Sequence, residues 1–487
     1  MQTLHPGRRK IPHLIRHSTI PILPMVYLSG LIFLLSVYLP SFAQTTQNDI
    51  RDITALELTR DMVTGWNLGN SFDVTNRDKT FWGNPLPSKE IIEAVEQKGF
   101  KTVRIPVTWG FHMGPGPDYI IEKEYLDEVE TIIKHILDLG MYAILNTHHD
   151  DWIEPVYSKE SEISDRLKKV WTQIANRFKD YNDYLIFETM NEPRIKNSPI
   201  EWVGNDEGRD MVNRYNQVCV DAIRATGGNN AERFLMIPTY AANTQPGSLS
   251  QHIIPNDDPK IIVSLHTYFP FEFTLKEDGT RNWGSAADKS ALDAELDRIH
   301  DHFIANNRAV ILGEWGAIDR SNHDDRVEHA SYYARGAAER KLPTIVWDDG
   351  GQFQLLSRQE LSWTFTGSAI ATAIIAAVND VYGILPLALN KLPENISDFY
   401  AYRKTGSNKI FIRYHLTRGS SVSLKILTID GRQVRNLVAR KKQAPGSYEL
   451  SWNGEKDTGD IVSNGIYLVI ITTEQSGKKF KVTFSRQ

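Results

Sequence analysis

Eight short β-branched runs alternating with amphipathic helical stretches predict a (β/α)8 barrel, and a switch to period-two patterning near residue 396 predicts a small β-sandwich after it. The length of 487 residues accommodates two or three domains, and an apolar content of 41 % supplies a large core. The expected fold class is α/β, in three segments: a leader over 1–43, a barrel over 44–395 and a sandwich over 396–487.

The leader carries Arg8, Arg9, Lys10 and Arg16 and no acid. An apolar stretch from Met25 to about Val37 follows, and then Ser41-Phe42-Ala43. That is the layout of a secretory signal cleaved before Gln44, with a start at a later Met as a variant. An uncleaved membrane anchor is the alternative, against which the apolar run is short. The Ala-rich stretch Ala369–Val378 is also too short to span and reads as a core helix. Without the leader's four positive charges the net charge moves from −5 to −9, which argues against nucleic acid as a partner. The single cysteine, Cys219, has no internal disulfide partner and lies on what reads as the buried face of a helix.

The barrel strands are expected at Val63–Leu68, Thr102–Pro106, Ala143–Asn146, Leu185–Thr189, Phe234–Pro238, Ile261–Leu265, Ala309–Leu312 and Thr344–Trp347. Each run is nearly continuously apolar, as a strand buried on both faces must be. Between them, Ser88 is placed to cap a helix carrying Ile91, Ile92 and Val95 that stops near Gly99. Tyr125, Val129, Ile132, Ile133 and Ile136 recur at helical spacing up to Gly140, as do Ile163, Leu167, Val170, Trp171, Ile174 and Phe178. From about Ile396 this periodicity ends. Val422–Ile426 and Phe480–Phe484 alternate, and Pro445-Gly446, Asn453-Gly454 and Asn464-Gly465 are turn signals.

Chemistry concentrates where the strands end. Asn191-Glu192-Pro193 follows the fourth strand and Gly313-Glu314-Trp315-Gly316 the seventh. In a (β/α)8 barrel both loops open on the C-terminal rim, where active sites lie. Two carboxylates facing one cleft divide nucleophile and acid/base roles when their surroundings differ, which is the equipment of a glycosidase. Arg104, His148, His149, His266, Tyr268 and Trp347 fall at the same rim. Arg104 and Tyr268 are placed to keep a nucleophilic carboxylate ionised. Partial burial and a negative neighbour would keep the acid protonated. Trp347 offers a face for sugar C–H groups. His148-His149-Asp150-Asp151 is a metal cluster by composition, but no other strand end completes a ligand shell, so no metal and no cofactor are expected.

These strings resemble a known family. Gly65-Trp-Asn-Leu-Gly-Asn70, Thr80-Phe-Trp-Gly-Asn-Pro85, Val103-Arg-Ile-Pro-Val107, Asn146-Thr-His-His-Asp150, Met190-Asn-Glu-Pro193, His266-Thr-Tyr-Phe-Pro270 and Gly313-Glu-Trp-Gly316 are similar, in order, to glycoside hydrolase family 5, a family of TIM-barrel retaining glycosidases. The resemblance covers about residues 60–365 and leans to its endoglucanase and xyloglucanase subgroup. It implies Glu192 as acid/base and Glu314 as nucleophile, with Arg104 and Tyr268 orienting Glu314. It implies Asn191 on the sugar 2-hydroxyl, His148 and His266 lining the cleavage subsite, and Trp347 beneath it. Asn70, His149 and Trp82 would serve neighbouring subsites.

The tail, with Gly431-Arg432, Gly446-Ser-Tyr448, Trp452-Asn-Gly454 and Asn464-Gly-Ile-Tyr467, resembles C-terminal domains of proteins exported by type IX secretion. That implies a secreted or surface-attached protein that meets the outer-membrane secretion machinery. A spacer or a carbohydrate-binding module is the alternative, and Trp452 and Tyr448 fit a strand core better than a binding face. The combined expectation is a secreted, monomeric endo-β-1,4-glucanase acting on β-glucan polysaccharide. Its rivals are a xyloglucanase or β-mannanase of the same fold, a non-catalytic glycan-binding protein, and an adhesin.

Overall fold

The computed structural model describes residues 50–382, 396–403, 409–428, 432–462, 465–473 and 477–484. The leader, the junction near Asn390 and Asn464 lie outside the described residues.

All eight expected strands close into one parallel barrel, in sequence order. They are β1 (Thr64–Asn67), β2 (Thr102–Ile105), β3 (Tyr142–Asn146), β4 (Leu185–Glu188), β5 (Leu235–Pro238), β6 (Ile261–His266), β7 (Ala309–Trp315) and β8 (Thr344–Val346). The helices are α1 (Ala55–Met62), α2 (Lys89–Lys98), α3 (Lys123–Asp138), α4 (Glu160–Phe178) and α5 (Asp206–Ala225). They continue with α6 (Pro246–Ser250), α7 (Phe271–Thr274), α8 (Ala286–His302), α9 (His323–Glu339) and α10 (Phe365–Val381). The apolar stripes of α2, α3 and α4 are buried against the barrel wall as the periodicity requires. Ser88 stands at the N-terminus of α2, but its side chain makes no capping bond to the helix. Gly99 ends α2 at φ 115°, a backbone conformation that favours glycine. The Ala-rich α10 is a core helix, Cys219 is a buried free thiol on α5, and no described helix is long and apolar enough to cross a membrane.

The barrel interior changes character along its axis. At the N-terminal base, Tyr142, Ile144, Ile186, Met236, Ile262, Ile311 and Ile345 form an apolar cluster closed by Ala55, Leu58 and Met62 of α1. One step further along the inward positions stand Asn67, Arg104, Asn146, Glu188 and Ser264, all fully buried. Alternation along each strand puts these on the inside and sends Val103, Leu145, Phe187 and Leu265 out to the helices. β7 breaks the alternation. Its register with β6 and β8 shifts after Leu312, so that Gly313 and Glu314 both turn inward before Trp315 packs outward on Tyr333. A Cβ at Gly313 would stand 3.1 Å from Nε2 of His266, which leaves little room for a side chain there.

Beyond β8, a short ribbon pairs β9 (Leu356–Ser357) with β10 (Ser362–Trp363). The tail has β11 (Ile396–Arg403), β12 (Ile410–Leu416), β13 (Ser420–Thr428), β14 (Gln433–Gln443), β15 (Gly446–Trp452), β16 (Gly465–Thr472) and β17 (Gly477–Phe484). They form two antiparallel sheets, ordered β11-β12-β15 and β14-β13-β16-β17. Ile410, Ile412, Tyr414, Val422, Leu424, Ile426, Val469 and Ile471 supply one core by strict alternation. Trp452 is buried in it, and Tyr448 is half-buried against Tyr414.

Candidate active site

The site begins with a guanidinium that has no solvent contact. Arg104, on β2, donates from Nε to Glu188 Oε2 (2.7 Å), from Nη1 to Asn67 Oδ1 (3.0 Å) and Glu314 Oε1 (2.8 Å), and from Nη2 to Asn191 Oδ1 (2.7 Å). Burial alone would push its pKa down, but Glu188 and Glu314 outweigh that and raise it. Glu188 is itself fixed by Ser264 (2.5 Å) and Asn146 (3.0 Å). The fork therefore aims Glu314 and Asn191 from a rigid, charge-paired platform. Tyr268 completes Glu314 by donating to its Oε2 at 3.0 Å.

Glu192 lies across the cleft, four residues after β4, on a loop held by different partners. His266 Nδ1 is 2.9 Å from its Oε1, and Arg194 donates to its Oε2 at 3.1 Å and to its carbonyl at 3.0 Å. One oxygen of Glu192, one of Glu314 and a ring nitrogen of His266 lie within 4.8 Å of one another. Burial pushes Glu192 up, yet the His266 bond and the charges of His266, Arg194 and His149 leave it below its ordinary value. This corrects the expectation that burial and a negative neighbour would raise it. His266 moves the other way: burial lowers it, and Glu314 and Glu192 raise it further than that. The two shifts oppose one another because each group favours the charged form of the other across the 2.9 Å contact.

His148 is forced neutral, first by burial and then by His149 and Arg104. Its Nδ1 faces the Asn146 amide at 3.1 Å, which leaves Nε2–H directed at Glu314, 3.9 Å away. Its ring lies parallel to Trp347, centroids 5.9 Å apart, and edge-on to His149, which meets Trp82 at 5.7 Å. Trp347 is only 9 % exposed, whereas Trp82 is 36 % exposed and offers a face at the rim. Asn70 adjoins through Gly69, which packs on Trp347, and Asn70 makes its bonds to Asp73 and Asn84 through its backbone.

The structure thus gathers Arg104, His148, Asn191, Glu192, His266, Tyr268, Glu314 and Trp347 into one cleft, with His149 and Trp82 continuing it. The His148-His149-Asp150-Asp151 string, a metal cluster by composition alone, does not converge. Asp150 turns away to accept from Trp109, Gly110 and Trp152. Asp73 takes its place beside His148 and His149. Burial pushes Asp73 up to about 6, against the N–H groups of Ser71 and Asn70 that already occupy both its oxygens, so this trio is poorly set to ligate a cation. Glu192, His266 and Glu314 are likewise engaged by Arg104, Tyr268 and Arg194, an arrangement suited to proton transfer. Sequence reasoning missed Glu188, Asn67, Ser264 and Arg194. A Glu ending an apolar strand run beside an Arg ending another was the available signal for the first.

Comparison with known proteins agrees with this geometry. Residues 67–352 match the Cellulase (glycosyl hydrolase family 5) family, and residues 399–477 match the FlgD Ig-like domain. The chain is 48 % identical over 325 residues to the cellulase/esterase CelE of Acetivibrio thermocellus, an alignment spanning 65 % of this chain but only 40 % of CelE. It is 47 % identical over 333 residues to endoglucanase B of Clostridium cellulovorans, covering 66 % of this chain and 76 % of the relative. The structure of ZgEngAGH5_4 in complex with a cellotriose superposes with a TM-score of 0.65 and 52 % identity, covering 67 % of this chain and 99 % of that one. The chain belongs to the cellulase family, glycosyl hydrolase family 5, and is a glycoside hydrolase of the endoglucanase kind.

Proposed function

We propose that this chain hydrolyses internal β-1,4-glucosidic bonds with net retention, Glu314 acting as nucleophile and Glu192 as acid/base. The observation that carries the reading is that one oxygen of Glu192 and one of Glu314 lie within 4.8 Å of each other, which favours the close pair of a retaining enzyme, about 5–5.5 Å between carboxyl groups, over the about 6.5–9.5 Å that leaves room for a water. Glu314 attacks the anomeric carbon as the glycosidic C–O bond breaks. Glu192 passes a proton to the leaving oxygen, with the His266 ring 2.9 Å from its carboxyl. Glu192 then takes a proton from water, which displaces Glu314 and restores the β configuration. Asn191, its carbonyl oxygen held by Arg104, presents its amide NH2 to the sugar 2-hydroxyl.

The expected substrate is a β-1,4-glucan. The cellotriose in ZgEngAGH5_4 supports a cleft that takes glucosyl units. Reducing-sugar release from carboxymethyl cellulose, mixed-linkage glucan, xyloglucan, xylan and glucomannan ranks the alternatives. Preference for glucomannan would make it a mannanase, and preference for xyloglucan a xyloglucanase. No release by a folded protein would leave a glycan-binding protein. Glu314→Ala should lose activity and recover it with azide as the α-glycosyl azide, whereas Glu192→Ala should give the β-azide from an activated substrate. The reverse pairing would exchange the two roles.

The localisation we propose is extracellular, free or attached to the cell surface, as a monomer delivered through the tail by type IX secretion. The charged-then-apolar leader and the tail motifs support this reading. Deleting 396–487 should leave the glucanase inside the cell. Unchanged export would refute a sorting role for the tail.

A further inference from the structure

Between Val74 and Ile91, in the loop after β1, one residue is buried, and it is polar. Asn84 is 7 % exposed, while residues 75–83 and 85–90 are exposed or half-buried. Trp82 stands two residues before it. The turn that carries Trp82 closes on itself, Gly83 N reaching Thr80 O at 2.8 Å. Further back, the same loop is tied by Arg77 to Glu122 and by Lys79 to Glu128, ion pairs that solvent reaches and weakens.

The Asn84 amide joins three stretches of the rim. Its Nδ2 donates to Asn70 O at 2.9 Å and to Asp349 O at 2.8 Å. Both acceptors are main-chain carbonyls, so only the NH2 side of the amide can face them. The fit is close: a Cβ on Gly350 would stand 2.0 Å from Asn84 Oδ1, and Gly350 has φ 70°, so this turn needs glycine twice over. The neighbouring residues form a second rung. Arg358, buried just after β9, donates from Nη1 to Gly69 O and from Nη2 to Asp348 O, both at 2.5 Å, and Gly69 N reaches Asp348 O at 3.2 Å. Two consecutive residues after β1 are thus stitched to two consecutive residues that follow Trp347. Of the two side chains that do this, Asn84 is the one on the chain that carries Trp82.

We propose that Asn84 is a positioning residue that fixes the Trp82 turn relative to Trp347 and so sets where along a glucan chain the cut falls. The inference rests on the glucanase reading of this cleft. Trp82 and Trp347 are joined twice. Along the cleft, Trp82 meets His149, His149 meets His148, and His148 lies parallel to Trp347. Behind it, Asn84 ties the Trp82 turn to Asp349, two residues after Trp347. A glucan lying along this row of rings settles in the register that best matches their spacing, because each sugar presents an apolar C–H face. Glu192 and Glu314 act at one fixed point, so the register decides which bond lies between them. A shift of about 1 Å in one wall is enough to change rates steeply.

The test is the product pattern from cellohexaose, read with Gln44–Gln487. The ratio of cellobiose plus cellotetraose to cellotriose reports the binding register and does not depend on how much of the enzyme is folded. Asn84→Asp keeps the size but sets a carboxylate against two carbonyl oxygens, and Asn84→Ala removes the donor. Each should move the ratio by about threefold or more and lower kcat/KM by about tenfold, mainly through KM. Trp82→Ala should also move the ratio, and adding Asn84→Ala to it should move it no further, because both changes act on one contact. An unmoved ratio in any of the single variants, or shifts that add in the double variant, would overturn the inference while leaving the glucanase reading intact. A folded wild type that cleaves no cello-oligosaccharide would overturn both.

Discussion

The two ends of the barrel each bury an arginine completely, and use it for opposite purposes. At the C-terminal rim, Arg104 spends its donors on two carboxylates and two amides that face the cleft. At the base, Arg233, two residues before β5, donates to five uncharged acceptors. These are Asn230 Oδ1 and the carbonyls of Asn182, Leu185, Phe178 and Tyr181. The last two belong to the end of α4 and the turn after it, where main-chain carbonyls have no helical partner. Burial and the nearby charge of Arg224 pull Arg233 down, whereas carboxylates raise Arg104. The same residue type is a staple where its partners are main chain and a pointer where they are titratable side chains. In this fold that difference separates stability from catalysis.

The largest test of that contrast is at the rim. Arg104→Lys keeps the charge but not the fork, so Glu314 and Asn191 lose a common reference. Activity on cello-oligosaccharides should fall by about 10²-fold or more at a temperature where the variant stays folded. A loss below threefold would remove the pointer role. At the base, Arg233→Lys has too few donors for five acceptors and should cost about 3 kcal/mol of stability through unsatisfied buried carbonyls. Its kcat/KM at a temperature where it stays folded should match wild type. A drop in kcat/KM there would mean the two ends are coupled.

How much of this was legible in the sequence follows the same division. The eight strands were readable because each is covered on both faces and so carries an unbroken apolar run, as Ile261–Leu265 does. β7 was read three residues short, at Leu312, because Gly313 and Glu314 interrupt the run. The interruption is the register shift that turns Glu314 inward. Glu192 and Arg104 were found from their motifs, but Arg194, adjoining one of those motifs, was not. A lone arginine after proline has the pattern of a surface residue, and only its contacts with Glu192, Glu201 and Trp202 distinguish it. Electrostatics was the least legible. The depressed Glu192 depends on which cations the fold brings near it.

Two histidines sharpen the contrast with pH. His266 at the rim is raised by carboxylates, so its contribution to stability is present at low pH and is lost as pH rises through its folded value. His329, on α9 behind β7, is pushed down to about 4 by burial among Trp283, Trp315 and Tyr333, although its ring bonds Phe269 O. The unfolded chain takes a proton near pH 6.5 that the folded one refuses, so this contribution is complete above pH 6.5 and falls as pH drops toward 4. At pH 5 the loss should reach up to about 2 kcal/mol, from a slope of about 1.4 kcal/mol per pH unit. His329→Gln, whose amide can still donate to Phe269 O, should flatten the stability curve between pH 6.5 and 5. An unchanged curve would assign the acid sensitivity to other groups.

The smallest expected effect tests the base of the barrel on its own. α1 closes it with Ala55, Leu58 and Met62, and its first turn is held by a reciprocal box. Thr54 Oγ1 accepts from Glu57 N (3.2 Å), and Thr54 N donates to Glu57 Oε2 (2.8 Å). Thr54→Ala removes one half of that box and should cost about 1 kcal/mol, read as a small fall in melting temperature. Because Ala55 N also bonds Pro259 O, just before β6, the helix should stay seated. The apolar layer between α1 and the polar layer of Arg104 carries no charge to transmit a disturbance upward, so kcat/KM should not move. A change in kcat/KM without a change in stability would show that the base does more than plug the barrel, and would break the division between its two ends.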